Sequence, residues 1–217
     1  IELGGFAVTL NTKDLQMGRG ETVADTARVL SRYVDGIMYR AYEHDMVMEL
    51  AKHATVPVIN GLDNFEHPCQ IMADLLTVKE RFGKLKGIKM AYVGDGNNVC
   101  NSLMLGCAMV GMDLACGCPA GYEPDPGVTK TAKAIAKRNC CKLSIVESPK
   151  EAAKDADVVY TDVWVSMGQE KEQKLRQNVF KPYQVNAGLM SVAHENAIVM
   201  HCLPAHRGEE ATDEVMD

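Results

Sequence analysis

Short apolar runs alternate along the first sixty residues with stretches whose apolar positions recur at helical spacing. Residues 5–10 predict a strand. Residues 22–33 predict a helix with Val23, Ala27, Leu30 and Val34 on one side. Residues 36–40 predict a strand, 44–53 a helix with Met46, Val47, Leu50 and Ala51 inward, and 56–60 another strand. Such alternation builds a parallel sheet. Residues 61–66 are rich in turn formers. A strong helix then spans 67–82, with Ile71, Leu75 and Val78 at helical spacing and Pro68 in its first turn, where a missing N–H costs nothing. After a break at 83–87 the alternation resumes. Strands are expected at 88–93, 112–115, 143–146, 158–161 and 198–201, and helices at 98–110, 129–138 and 150–153. A domain boundary falls within 64–84, with the 67–82 helix bridging two parallel-sheet domains. No repeat or low-complexity tract interrupts the pattern.

Composition narrows the function classes. The 217 residues are 47% hydrophobic and 24% charged, ordinary for a globular protein of one large or two small domains. The net charge of −6 argues against a sequence-independent nucleic-acid binder, which needs a basic face. No apolar run approaches the roughly 20 residues that span a bilayer. The chain starts at Ile1, and its first ten residues lack the basic and long apolar regions of a signal peptide, so a fragment or a processed chain is expected. Eight cysteines include the adjacent Cys140 and Cys141 and two, Cys100 and Cys107, inside an apolar stretch. Free thiols in a reducing compartment are therefore expected.

In open parallel sheets, ligands bind beyond the carboxyl ends of the strands. The groups at those exits are Arg40, Asn60, Gly94 to Asn98, Thr161 with Asp162, and His201 to Leu203. Gly94-Asp95-Gly96-Asn97-Asn98-Val99 departs from a dinucleotide fingerprint, because Val99 stands where the third glycine belongs. A tight turn and a small-ligand turn both remain open. A phosphate-binding GxxxxGK[ST] loop is absent. His67 and Gln70 share one face of a helix start, where the partial positive charge suits a carbonyl oxygen or an anion, although polar residues there also simply face solvent. His201 and Cys202 are adjacent on a strand and point to opposite faces, which disfavours a Cys/His nucleophile. A metal reading of His201, Cys202 and His206 lacks a second ligand pair, since Cys116-Gly117-Cys118 stands alone. Neither metal nor cofactor is assigned.

Several segments together are more specific. His67-Pro68-Cys69-Gln70, Gly94-Asp95-Gly96-Asn97-Asn98, the run Asp162 to Gly168 (DVWVSMG) and the run His201 to Gly208 (HCLPAHRG) resemble ornithine carbamoyltransferases, in that family's order and at compatible spacing. The runs Asp14 to Glu21 and Gly36 to Arg40 resemble its preceding segments, so the resemblance covers essentially the whole chain. It implies an α/β fold of two Rossmann-like parallel-sheet domains. Residues 1–66 would be part of a carbamoyl-phosphate-binding domain, 67–83 a bridging helix and 84–217 an ornithine-binding domain, with the site in the cleft between them.

The resemblance also implies roles. Arg40, His67 and Gln70 would hold and polarise the carbamoyl group, and Gln16 would touch carbamoyl phosphate, serving a neighbouring subunit. Asn98, Asp162, Ser166 and the Met167 backbone would clamp ornithine. Cys202 and Leu203 would close over both substrates, with Cys202 tuning the attacking amine. The activity implied is carbamoyl transfer from carbamoyl phosphate to L-ornithine, without covalent intermediate or cofactor, in a homotrimer or a multiple of it, in the cytoplasm or an organellar matrix, with no nucleic acid or membrane partner. The family's Ser-Thr-Arg-Thr-Arg phosphate loop is expected just ahead of Ile1 and a further arginine after Asp217. On that reading the N-terminal domain is incomplete within these 217 residues, which alone would be nearly inactive. The alternatives are a carbamoyltransferase for another amine, against which Ser166-Met167-Gly168 argues, and a non-catalytic or truncated binding protein.

Overall fold

The computed structural model of the chain describes residues 4–11, 15–165 and 170–217. It divides into two compact units, Ile1–Asp63 and Asn64–Asp217.

The first unit carries α1 (Val23–Leu30), β1 (Ile37–Arg40), α2 (His44–His53) and β2 (Val58–Leu62), after a 3-10 turn at Gln16–Arg19. Thr22 caps α1 by accepting the Asp25 N–H at 3.1 Å, which satisfies one of the helix's orphan donors. Ala27, Val47 and Leu50 are buried, whereas Ala51, expected inward, lies on the exposed side of α2. Strands β1 and β2 pair in parallel, with Tyr39 opposite Asn60 and then Arg40 opposite Leu62. One extra residue is accommodated there, so β2 runs on through Gly61. Asn60, expected at the strand exit, lies inside the strand. Residues 5–10 form no strand. Phe6, Val8 and Leu10 are 87%, 58% and 46% exposed, and no ladder joins them to a neighbour among the described residues. Alternation marks a face, but a strand exists only through its partner's hydrogen bonds.

The second unit is a five-stranded all-parallel sheet in the order β5-β4-β3-β6-β7. Its strands are β3 (Lys89–Val93), β4 (Asp113–Gly117), β5 (Leu143–Val146), β6 (Val158–Thr161) and β7 (Ile198–His201). Side chains alternate between two cores. Met90, Tyr92, Leu114, Cys116, Val158 and Tyr160 face one; Ala91, Val93, Ala115 and Val159 face the other. The first core is closed by α3 (Pro68–Phe82), α4 (Asn98–Val110) and α5 (Pro126–Asn139). The second is closed by α6 (Pro149–Ala153), α7 (Gln173–Phe180) and α8 (Ala187–Met190), and a last short helix, α9 (Asp213–Met216), ends the chain.

Helix α4 is buried along most of its length, and it lies so close to α3 that a Cβ on Gly106 would stand 2.7 Å from Ile71 Cγ2. Only glycine permits that approach. The last three helices have no counterpart in the sequence expectations. In α7 the reason is plain: the buried residues of its face are Arg176 and Phe180, so a charge occupies an inward position where periodicity looks for an apolar one. All eight cysteines are free.

Candidate active site

The sheet changes direction between β3 and β6. From β3 the chain winds outward to β4 and β5, and from β6 to β7. Ligands of open α/β sheets bind at such a switch point, and polar groups converge there. The loop after β3 carries Asn97, whose Nδ2 donates to Asp162 Oδ2, just after β6, at 2.6 Å. The Cys202 thiol, just after β7, donates to Asp162 Oδ1 at 3.0 Å, and the Val163 N–H donates to the same oxygen at 2.8 Å. Three neighbouring strand exits are thus tied into one row through a buried carboxylate.

Asn97 also caps α4. Its Oδ1 accepts the Val99 and Cys100 N–H groups at 3.0 and 3.1 Å and the Tyr92 hydroxyl at 3.2 Å. A Cβ on Gly96 would run into the backbone of Glu123 and Pro124, so this glycine serves close chain packing. The helix start is occupied by its own cap, which makes the 94–99 loop a support for the Asp162 row. Burial first, and then Asp162, push the Cys202 thiol well above the usual range, so it is a protonated donor at neutral pH. Both nitrogens of the His201 ring are engaged elsewhere: Nδ1 accepts the Leu203 N–H at 2.8 Å and Nε2 meets Glu210 Oε1 at 3.2 Å. Asp162, His201 and Cys202 offer ligand atoms within 4.8 Å of one another, but these commitments leave them poorly disposed to a metal.

The start of α3 adds a second group. His67 is the N-cap residue, and its own N–H donates to Ser102 Oγ of α4 at 2.8 Å, while Asn101 Nδ2 of α4 donates to the Phe65 carbonyl at 3.1 Å. Gln70 Nε2 donates to Asp74 Oδ1 at 2.9 Å. That bond orients the amide. It uses one N–H of the amide and leaves Oε1 and the second N–H outside it. Burial raises the Asp74 carboxyl, with the Gln70 amide acting in the opposite sense, and Asp74 in turn helps push up the buried Tyr160 phenol. Gln70, Asp74, His201 and Leu203 border a groove of about 390 Å³.

Behind the row lies an ion pair that the sequence did not suggest. Arg176 Nη2 contacts Asp95 Oδ2, and Arg176 Nε donates to the Trp164 carbonyl at 2.6 Å. The guanidinium also stacks on Tyr122 and Phe180, each ring centroid 5.1 Å away. Burial pushes the Asp95 carboxyl up to about 6 against the pull of Arg176, so the pair is ionised at neutral pH.

Of the residues singled out from sequence, Asp162, Cys202 and Leu203 lie at neighbouring strand exits of the second unit, and His67 and Gln70 at the start of α3. Asn98 is the first residue of α4; its Oδ1 accepts the Val99 N–H at 3.0 Å, and it is Asn97 that reaches Asp162. Gln16 and Arg40 belong to the first unit and are both exposed, Arg40 at the end of β1. Ser166 and Met167 lie outside the described residues. Sequence reasoning placed Asn97 at a strand exit without giving it a role, and missed Asp74, Glu210 and the Asp95–Arg176 pair. An asparagine before an apolar helix is a capping signal, and it could have pointed to Asn97.

Two family models match the chain. Residues 86–217 match the family model for the aspartate/ornithine carbamoyltransferase Asp/Orn binding domain, and residues 1–80 that for the carbamoyl-P binding domain. The chain belongs to the aspartate/ornithine carbamoyltransferase family. It is 58% identical over 216 residues to the ornithine carbamoyltransferase of Methanobrevibacter smithii, covering 100% of this chain and 72% of that protein. It is 56% identical over 215 residues to the anabolic ornithine carbamoyltransferase of Pyrococcus furiosus, covering 99% of this chain and 68% of that protein. The solved ornithine carbamoyltransferase of P. furiosus superposes with a TM-score of 0.95 at 56% identity, covering 99% of this chain and 69% of that one. That of Campylobacter jejuni gives 0.94 at 40% identity, covering 99% and 71%. The chain therefore spans about 70% of these relatives' length. No helix among the described residues is long and apolar enough to cross a membrane.

Proposed function

We propose that the protein is an ornithine carbamoyltransferase, moving the carbamoyl group of carbamoyl phosphate to the δ-amine of L-ornithine to give L-citrulline and phosphate. The observation that carries the reading is the Asn97–Asp162–Cys202 row at the sheet's switch point, in a chain more than half identical to proteins bearing that name. A buried carboxylate fed by three donors suits the α-ammonium of an amino-acid substrate, whose charge a buried acidic row offsets.

The neutral δ-amine attacks the carbamoyl carbon. A C–N bond forms, negative charge gathers on the carbonyl oxygen, and the C–O bond to phosphate then breaks. The amine's proton leaves with the departing phosphate. Arg40 supplies permanent positive charge to the oxygen. His67 and the free N–H of Gln70 add donors, and Gln70 Oε1 accepts from the carbamoyl NH2. Removing one such donor costs about 10²–10³ in rate. Gln16 contributes to carbamoyl-phosphate binding. Asp162 and Ser166 take the ornithine ammonium, Asn98 and the Met167 N–H its carboxylate, and Cys202 and Leu203 border both substrates. Holding the two substrates together does much of the rest, with no covalent intermediate. Residues 1–66 would then serve carbamoyl phosphate and 84–217 ornithine, with 67–83 joining them. A homotrimer in a reducing compartment completes the proposal. Separate titration of the two substrates against single variants tests the assignments: Arg40→Gln should weaken use of carbamoyl phosphate, and Asp162→Asn use of ornithine.

A further inference from the structure

His201 and Glu210 flank the segment that carries Cys202. The His201 side chain is 2% exposed and that of Glu210 is fully enclosed. Because the Leu203 N–H donates to His201 Nδ1 at 2.8 Å, that nitrogen carries no hydrogen, so the neutral ring holds its proton on Nε2. Nε2 faces Glu210 Oε1 at 3.2 Å and donates to it. The same oxygen accepts the His206 backbone N–H at 2.5 Å, while Oε2 lies 3.8 Å from the exposed His206 ring, beyond hydrogen-bond distance. Burial would raise the Glu210 carboxyl, but the bonds from His201 and the His206 backbone outweigh it and hold it below the usual carboxylate range.

The pair is itself fixed. The Val185 N–H donates to the Glu210 carbonyl at 2.8 Å, the Thr212 N–H donates to the Val185 carbonyl at 3.0 Å, and Val185 is wholly buried in the second core. What it holds is a strained segment. Leu203 sits at φ +57°, a left-handed conformation that a leucine keeps only where its surroundings impose it. The N–H that anchors this residue is the one His201 accepts. His201, the last residue of β7, bonds Glu210, and Cys202, the first residue beyond the strand, bonds Asp162.

We propose that Glu210 and His201 act as a buried positioning pair, which clamps the segment 203–206 at both ends through the Leu203 and His206 N–H groups and thereby sets Cys202 and Leu203 at the active site. This rests on the carbamoyl-transfer reading only for its effect on kinetics; the effect on Cys202 is independent of it.

The test separates the two halves of the imidazole. His201→Gln retains a donor near the Nε2 position and loses the acceptor for Leu203. His201→Asn retains an acceptor near Nδ1 and loses reach to Glu210. Each variant is read by the iodoacetamide alkylation rate of Cys202, followed on its peptide by mass spectrometry, and by kcat and KM for each substrate. Exposed Cys69 and Cys140 and buried Cys107 serve as internal controls. Loss of one such bond shifts a local opening equilibrium about 2- to 12-fold. His201→Gln should therefore speed alkylation of Cys202 by roughly that factor, and more than His201→Asn does, with Cys107 unchanged and kcat/KM lowered for both substrates. Unchanged Cys202 reactivity in a folded variant overturns the proposal, as does acceleration of Cys107 along with Cys202, which marks general loosening. If the variants do not fold, a long-range ¹H–¹⁵N spectrum of the unmutated protein decides. A bare Nδ1 with a protonated Nε2 on His201 supports the pair, and the opposite tautomer refutes it. Kinetics are measured in a protein that also carries the phosphate-binding loop expected ahead of Ile1; absence of citrulline formation there, with Cys202 still responding to His201→Gln, refutes the carbamoyl-transfer reading and leaves the positioning pair standing.

Discussion

The Cys202 thiol donates a hydrogen bond to the Asp162 carboxylate across the ends of two adjacent parallel strands, at 3.0 Å. Burial and that carboxylate together keep the thiol protonated, so this cysteine at the strand's end serves as a donor and a spacer, not a nucleophile. Cys202 should alkylate far more slowly at pH 8 than exposed Cys69 and Cys140, and faster in Asp162→Asn, where one source of the upward shift is gone. Peptide-resolved alkylation rates check both outcomes. A native Cys202 as reactive as Cys69 would contradict the geometry.

Asp162→Asn should weaken ornithine use at least about tenfold while leaving carbamoyl-phosphate use nearly unchanged, because a hydrogen bond to a charged group is worth roughly 1.5–3 kcal/mol. The check is kcat/KM for each substrate with the other saturating. Loss of carbamoyl-phosphate use alone would place Asp162 at the wrong end of the site.

Removing the Asp74 carboxylate frees the Gln70 amide to rotate. Asp74→Ala should therefore raise KM for carbamoyl phosphate several-fold, and Asp74→Asn, which keeps a side-chain oxygen for Gln70 Nε2, should recover part of the loss. Equal effects on both substrates would show that Asp74 acts through general packing instead.

Asp95→Ala strands the Arg176 guanidinium in a buried position, which costs about 3–5 kcal/mol when one partner of such a pair is deleted. The midpoint of urea unfolding should fall accordingly, with little change in the slope. Replacing both partners with apolar residues should cost much less.

These interactions also mark the limit of what the chain's pattern reveals. The parallel alternation was legible because sheet strands buried on both faces are continuous apolar runs, and helices such as 44–53 and 98–110 match their observed bounds. The start of α3 was legible because Pro68 and the apolar spacing agree. Arg176 was not, since a buried charge reads as a surface position until its partner Asp95, 81 residues away, is known. Residues 5–10 failed for the converse reason: they have a strand's alternation and no ladder. At the site, sequence named Asp162 and Cys202 through the family motifs, while Asn97 and Glu210 owe their importance to contacts that form only when the strand exits meet.

Acidification should loosen the Cys202 segment. Glu210 titrates below its ordinary value of 4.5, so the stability it contributes is complete above that pH and is lost as the pH falls through its folded value. Thermal midpoints measured from pH 5 to pH 3 should decline less steeply in Glu210→Gln than in the unmutated protein. Parallel declines would show that Glu210 is not held below its usual range.

The central claim is the choice of ornithine as carbamoyl acceptor. It is tested most directly by phosphate release and formation of the carbamoylated amine, identified by mass, in a protein that carries the phosphate-binding loop expected ahead of Ile1, with carbamoyl phosphate and, in turn, L-ornithine, putrescine and L-aspartate. Ornithine has the α-ammonium that the Asp162 row is suited to hold; putrescine has neither α-substituent, and aspartate has no δ-amine. The account expects turnover with ornithine at least about a hundredfold above the other two, since at least two charged-group hydrogen bonds are at stake. Putrescine or aspartate carbamoylated as well as ornithine would contradict it.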